Sequence, residues 1–94
     1  MFDGKKYITK GISENIPLEI QIILWDMVLS MPVNKDYLQI FELSTNENIL
    51  TIKHSQEVPP YEKTYKFIVL EPINEKIYII DDGEYSTMLL ADEY

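Results

Sequence analysis

The chain has 94 residues and a formal net charge of −8, with eight lysines, no arginine, no cysteine and one histidine. This length suits one modest core, so we expect residues 1–94 to form a single globular domain. The missing cysteines exclude disulfides and thiolate chemistry, and the acidic balance argues against nucleic acid as a partner.

The N-terminal segment carries Lys5 and Lys6 without an apolar stretch behind them, which differs from a secretory signal. Apolar runs such as 22–25 are four residues long, whereas a membrane span needs about 20. We therefore expect a cytoplasmic protein that does not interact with membranes.

The first predicted elements are a short strand at 5–9 and a helix at 17–31. Gly11 is predicted to break the pattern between them. The helix is the clearest element of the chain, because Pro17 suits a first helical turn and Glu19 is favourable beside the positive end of the helix dipole.

This helix is apolar around most of its circumference. Steps of 100° per residue give a first stripe of Ile20, Leu24, Met27, Val28 and Met31, and an adjacent second stripe of Leu18, Ile22, Trp25 and Leu29. Helix-in-groove and homodimer contacts use the spacing of the second stripe, and Trp is enriched at binding hot spots. Two alternatives stay open: the second stripe is a candidate interface, or a curved sheet wraps the helix and buries both stripes.

After residue 35 the apolar period changes to two, which predicts strands at 36–43, 49–54, 62–70, 76–81 and 84–91. Asp82-Gly83 is typical of a type I′ turn, so a final hairpin is favoured over a C-terminal helix starting near Ser86.

The predicted fold class is α+β, with one N-terminal helix packed on a mainly antiparallel, curved sheet of five or six strands. One helix of about 22 Å cannot cover both faces of such a sheet. Either the sheet curls into a partial barrel, or a second subunit or partner covers the remaining face.

No combination of residues predicts catalysis. His54 is the only imidazole, and adjacent strand residues such as Ser55 face opposite ways, so we expect a surface histidine rather than a catalytic pair. The acids around Gly83 crowd one tight turn, unlike the spread ligands of a calcium loop. Phosphate-binding and metalloprotease motifs are absent. We predict no catalytic residue, no cofactor and no metal site.

The excess negative charge is concentrated in the last quarter of the chain, where residues 71–94 contain seven acids and one lysine. These acids are a candidate acidic surface: Glu71, Glu75, Asp81, Asp82, Glu84, Asp92 and Glu93. They either keep a small protein soluble or imitate the phosphates of a nucleic acid to occupy a basic partner.

The segments 7–11, 16–21, 24–25, 36–43 and 80–91 resemble a family of short uncharacterised proteins from staphylococci, related low-GC Gram-positive bacteria and their mobile elements. The resemblance implies a cytoplasmic bacterial or phage-associated protein of unknown function, and it carries over no site residues.

Three hypotheses about function follow. The leading one is a non-enzymatic protein–protein interaction module, a homodimer or an adaptor, that uses the second stripe. The alternative is an acidic inhibitor or nucleic-acid mimic that binds a basic partner. The third is an unrecognised enzyme, which would need a concave pocket containing His54 or paired carboxylates.

Overall fold

Six strands form one sheet in the computed structural model, which describes all 94 residues. The strands are β1 (Lys5–Ile8), β2 (Leu38–Asn46), β3 (Ile49–Gln56), β4 (Tyr61–Ile68), β5 (Glu75–Asp81) and β6 (Tyr85–Leu90). Their order is β1-β6-β5-β2-β3-β4, with β1 parallel to β6 and all other neighbours antiparallel. The edge strands β1 and β4 do not pair with each other, so the sheet stays open rather than closing into a barrel. The predicted α+β class with a mainly antiparallel sheet is confirmed.

Two helices precede β2, where the sequence predicted one: α1 (Lys10–Asn15) and α2 (Leu18–Leu29). A 3₁₀ turn, Ala91–Glu93, follows β6. Neither helix is long and apolar enough to cross a membrane.

Helix α1 begins where the side chain of Thr9 accepts a hydrogen bond from the backbone N–H of Ile12. Gly11 follows the end of β1, but it lies in the first turn of this helix rather than in an irregular segment. A Cβ at Gly11 would stand 2.6 Å from the Glu93 carboxylate. The glycine therefore makes room for a contact from the other end of the chain.

The first stripe of α2 forms the core together with one face of the sheet. Ile20, Leu24, Met27, Val28 and, just beyond the helix, Met31 are all buried. They cover the inward residues of the central strands: Phe41, Leu43, Leu50, Ile52, Ile77 and Ile79. Strand alternation thus directs every second side chain into one core under α2.

The opposite face of the sheet is covered by no helix. Half-buried apolar side chains of β2 and β5 lie on it, and Tyr94 packs edge-on against Tyr78 at 5.6 Å between ring centroids. Towards β4 the face becomes polar, where Lys53 Nζ lies 3.7 Å from Glu42 and 3.6 Å from Glu62.

The prediction of a C-terminal hairpin is confirmed, since β5 and β6 pair antiparallel, and the alternative helix near Ser86 is wrong. The type I′ assignment at Asp82-Gly83 is also wrong, because only Gly83 has a positive φ there, 101°. Glu47 and Asn48, between β2 and β3, have φ values of 50° and 65°. The type I′ conformation, which needs positive φ at both central residues, therefore occurs in the other hairpin.

Candidate functional site

The second stripe of α2 faces away from the core. Leu18, Ile22 and Leu29 are 65%, 53% and 48% exposed, and the sheet does not wrap around them. Trp25 is half-buried, and Lys6 Nζ lies 5.8 Å from its ring centroid, within cation–π distance. The structure therefore places all four predicted interface residues on one accessible helix face, which we call the α2 stripe.

Negative charge borders the α2 stripe. Glu19 and Asp26 are exposed and lie seven residues apart, about two turns, on the solvent side of the helix. Helix α2 contains no lysine. The charges that α2 itself contributes beside the stripe are therefore negative, and Lys6 from β1 places one positive charge at Trp25.

A groove of about 460 Å³ lies between the first half of α2 and the end of β4 with the connection that follows it; we call it the α2–β4 groove. Its lining includes Ile20 and Ile23 from α2 and Phe67, Val69 and Ile73 from the opposite wall. Helix α2 contributes to both the groove and the α2 stripe, with Glu19 between Ile22 and Ile23 on its circumference.

Hydrogen bonds fix the far wall of the groove. The backbone N–H of Val69 donates to the Asn48 carbonyl at 2.9 Å, and that of Ile73 donates to Thr45 Oγ1 at 2.9 Å. Thr45 Oγ1 donates in turn to the Ile73 carbonyl at 3.0 Å, and the Thr45 N–H donates to Asn74 Oδ1 at 3.0 Å. The wall is thus anchored to the β2–β3 hairpin, which makes the groove a preformed feature.

The prediction that His54 lies on the surface is wrong, because the residue is fully buried. Its ring stacks on Phe41 with centroids 4.4 Å apart and meets Tyr61 edge-on at 5.5 Å. Nε2 donates to Gln39 Oε1 at 2.6 Å, while Nδ1 has no partner. Burial lowers the pKa of His54 from 6.5 to about 4, so the ring is neutral near pH 7.

Two buried glutamines extend this contact to the neighbouring loops. Gln56 Oε1 accepts from Gln39 Nε2 at 2.7 Å and from the Asp36 N–H at 2.8 Å. Gln56 Nε2 donates to the carbonyls of Asn34 at 2.9 Å and Pro59 at 2.8 Å. The network holds in place the segment before β2 and the loop after β3. Its role is therefore structural.

The predicted acidic surface is divided between opposite ends of the sheet. Asp81, Asp82 and Glu84 lie at or beside the β5–β6 connection. The other four lie at the opposite end of these strands. Glu71 and Glu75 precede or begin β5, and Asp92 and Glu93 follow β6. The seven-residue β5 separates the two groups by about 20 Å at ~3.3 Å per residue. The structure does not bring the seven carboxylates together.

One of these acids stabilises the fold. Glu93 accepts hydrogen bonds from Thr9 Oγ1 at 2.6 Å, from the Leu90 N–H at 2.8 Å and from the Gly11 N–H at 3.1 Å. These bonds lower the pKa of the Glu93 carboxyl, the Thr9 hydroxyl contributing most. No group of three or more His, Asp or Glu side chains is placed where it could hold a metal ion.

Fold and site together define a small α+β protein with an open sheet, helices on one face only, and an exposed apolar helix stripe beside a preformed groove. The chain belongs to the family described as Staphylococcal protein of unknown function (DUF960), whose model matches residues 5–93. The expected resemblance to a staphylococcal family is thereby confirmed.

The fold is similar to the crystal structure of a protein of unknown function from Enterococcus faecalis, with a TM-score of 0.85 and 24% sequence identity. The likeness covers 98% of this chain and 92% of that one, and at this identity it shows the fold alone. No curated protein matches the chain.

Proposed function

We propose that this protein is a non-enzymatic, cytoplasmic protein–protein interaction module that binds a partner protein on the α2 stripe. The observation that carries the proposal is the exposure of Leu18, Ile22 and Leu29 on the helix face beside Trp25. Contiguous exposed apolar side chains flanked by polar residues are typical of protein-binding surfaces. A half-buried Trp at the border of such a patch supplies the kind of anchor that dominates binding energy.

Of the two forms of this proposal, homodimer and adaptor, the charge around the stripe favours the adaptor. Two copies pairing through α2 would bring four carboxylates together, Glu19 and Asp26 of both helices, against one lysine beside the stripe, Lys6, from each copy. Like charges across an interface cost affinity, whereas a partner with basic residues beside its apolar contact would be attracted. The preferred occupant is therefore a different protein.

A photo-crosslinking residue at Ile22 tests the proposal in host cells. We expect a defined crosslinked partner from position 22 and none from Lys66, an exposed residue of β4, used as the matched control. The Leu18→Asp/Leu29→Asp variant should abolish the crosslink, because it places carboxylates in the apolar contact. A crosslink to a second copy of the chain would establish the homodimer form. Absence of any crosslink at position 22, with a monomer by light scattering, would contradict both forms.

The acidic-inhibitor hypothesis stays a prediction, and no observation favours it, because its carboxylates lie in two groups at opposite ends of β5. The enzyme hypothesis also stays a prediction. His54 is buried and does not line the groove, although two carboxylates, Glu19 and Glu71, do.

A further inference from the structure

The α2–β4 groove has the size and lining of a binding site. Its volume of about 460 Å³ lies within the range of roughly 300–1,000 Å³ that is usual for such sites. Seven of its ten lining residues are hydrophobic, and the hydrogen bonds of Thr45 and Asn48 keep its far wall in place. An apolar side chain could enter without first opening the core.

Apolar surface flanks the groove on both sides. On the helix side the α2 stripe lies beyond Glu19, which stands between Ile22 and Ile23 on the circumference of α2. On the opposite wall Leu70 is 94% exposed. A small ligand would leave these flanking residues in water, whereas a polypeptide segment would cover them.

The charge of the groove is negative on both walls. Glu19 lines it from α2 and Glu71 from the β4–β5 connection, and no lysine is among the lining residues. Neither carboxylate takes part in an ion pair within the chain. A ligand that combines apolar side chains with neighbouring cations would match both features.

A second copy of the chain matches the groove less well than a basic partner segment. Its most basic apolar stretch, Lys5–Ile8, is exposed, but it is the edge strand β1 and its backbone is paired with β6 in the sheet. The chain as a whole has a net charge of −8, so a second copy is also repelled by Glu19 and Glu71.

Resting on the proposed function, we infer that the α2–β4 groove binds apolar side chains of a partner segment that carries lysine or arginine beside them. The apolar side chains enter between α2 and the β4–β5 connection, and the basic side chains pair with Glu19 and Glu71. The α2 stripe then contacts the rest of the segment.

Three synthetic amphipathic peptides of equal length test this inference: one of Leu and Lys, one with Glu in place of Lys, and one with Ser in place of Leu. Binding is measured by fluorescence anisotropy and mapped by amide chemical shifts of the ¹⁵N-labelled protein. We expect the Leu/Lys peptide to bind most tightly and to shift the amides of Ile20, Ile23 and Val69.

Replacing glutamates with glutamine separates the effect of local ion pairs on binding from the effect of the protein's overall negative charge. Glu19→Gln/Glu71→Gln should weaken Leu/Lys binding about five- to tenfold at low salt, because each exposed ion pair contributes modestly and salt screens it. Glu57→Gln/Glu84→Gln is the matched control, since it makes the same charge change at exposed positions at the other end of the sheet. The control should change the affinity less than twofold.

Any of three results would overturn the inference. The Ser/Lys peptide could bind as tightly as the Leu/Lys peptide, or both double variants could weaken Leu/Lys binding equally. The chemical shift changes could also be confined to another surface. These results are distinguishable from failure of the proposed function. A partner crosslinked at Ile22 whose capture is insensitive to Glu19→Gln/Glu71→Gln would leave the interaction module intact and remove the groove from it. A missing crosslink at Ile22 would remove the interaction module itself.

Discussion

Acidification should destabilise this protein in a pH range set by His54. The ring is fully buried against Phe41 and Tyr61, and its only hydrogen bond is to the neutral amide of Gln39. No carboxylate contacts the ring to stabilise a positive charge, so burial holds the pKa of His54 at about 4 in the folded protein. In the unfolded chain the same group should titrate near 6.5.

The direction and size of the effect follow from these two values. Between pH 6.5 and 4 the unfolded chain binds more protons at His54 than the folded protein, so stability falls as the pH falls. The loss from this group is about 2 kcal/mol at pH 5 and about 3 kcal/mol at pH 4, relative to pH 7. It is absent above pH 7 and levels off below pH 4.

Urea unfolding followed by Trp25 fluorescence at pH 7, 6 and 5 measures the loss. The matched variant is His54→Gln, which keeps a donor for Gln39 but does not titrate in this range. We expect it to be less stable at pH 7, because it loses the ring contacts, yet to lose far less stability between pH 7 and 5. Parallel pH profiles for both proteins, or an imidazole pKa near 6.5 in the folded protein by NMR, would refute the reasoning.

Three further predictions concern the fold. Gln56→Ala should cost about 2–3 kcal/mol in urea unfolding, because it leaves the partners of a buried network unsatisfied. Gly11→Ala should lower the melting temperature, because the added methyl group displaces the Glu93 carboxylate. In a Glu93→Ala background the same substitution should be neutral or stabilising. If the effects of the two substitutions on the melting temperature are additive, the close contact is contradicted. Leu24→Ala should cost about 2–5 kcal/mol, whereas Leu29→Ala should change the unfolding free energy by less than about 0.5 kcal/mol; similar losses would mean that the α2 stripe is part of the core.

Helical periodicity predicted which residues of α2 share a face, but it could not decide which face is buried. Both stripes consist of apolar side chains, and only the position of the sheet distinguishes Leu24 from Leu29. The groove was not predictable either. Its two walls, at Ile23 and Val69, are 46 residues apart, and the hydrogen bonds that hold the far wall in place come from the β2–β3 hairpin, which no local pattern indicates.

The residue type of His54 favours the surface, whereas its position in the alternation of β3 indicates burial. In β3 the inward residues are Leu50, Ile52, His54 and Gln56, which continue one alternation without a break. That alternation was the signal that could have found the network. The partners that make burial tolerable, Gln39 and the Asn34 carbonyl, come from the segment around the start of β2, and no local pattern indicates them.

The distribution of charge along the chain shows that acids are concentrated in residues 71–94, but it does not predict where those acids lie in the fold. The acids near Gly83 and those near Glu93 are close in sequence, but they belong to an antiparallel hairpin, whose turn and open ends lie at opposite ends of its strands. A run of like charges on two paired strands therefore divides into two groups whenever the strands are several residues long. Proximity in sequence alone therefore does not predict a single acidic surface here.

The exposed apolar residues of α2 and the carboxylates beside them are best understood together. The first stripe, centred on Leu24, is enough to hold the helix on the sheet, so the exposed side chains of Leu18, Ile22 and Leu29 contribute little to folding. Exposed apolar residues favour nonspecific association unless neighbouring charges oppose it. Glu19 and Asp26 supply such charges, because copies of the same acidic helix repel one another. In the proposed interaction the same carboxylates would attract a basic segment, so one set of side chains would disfavour self-association and favour that partner.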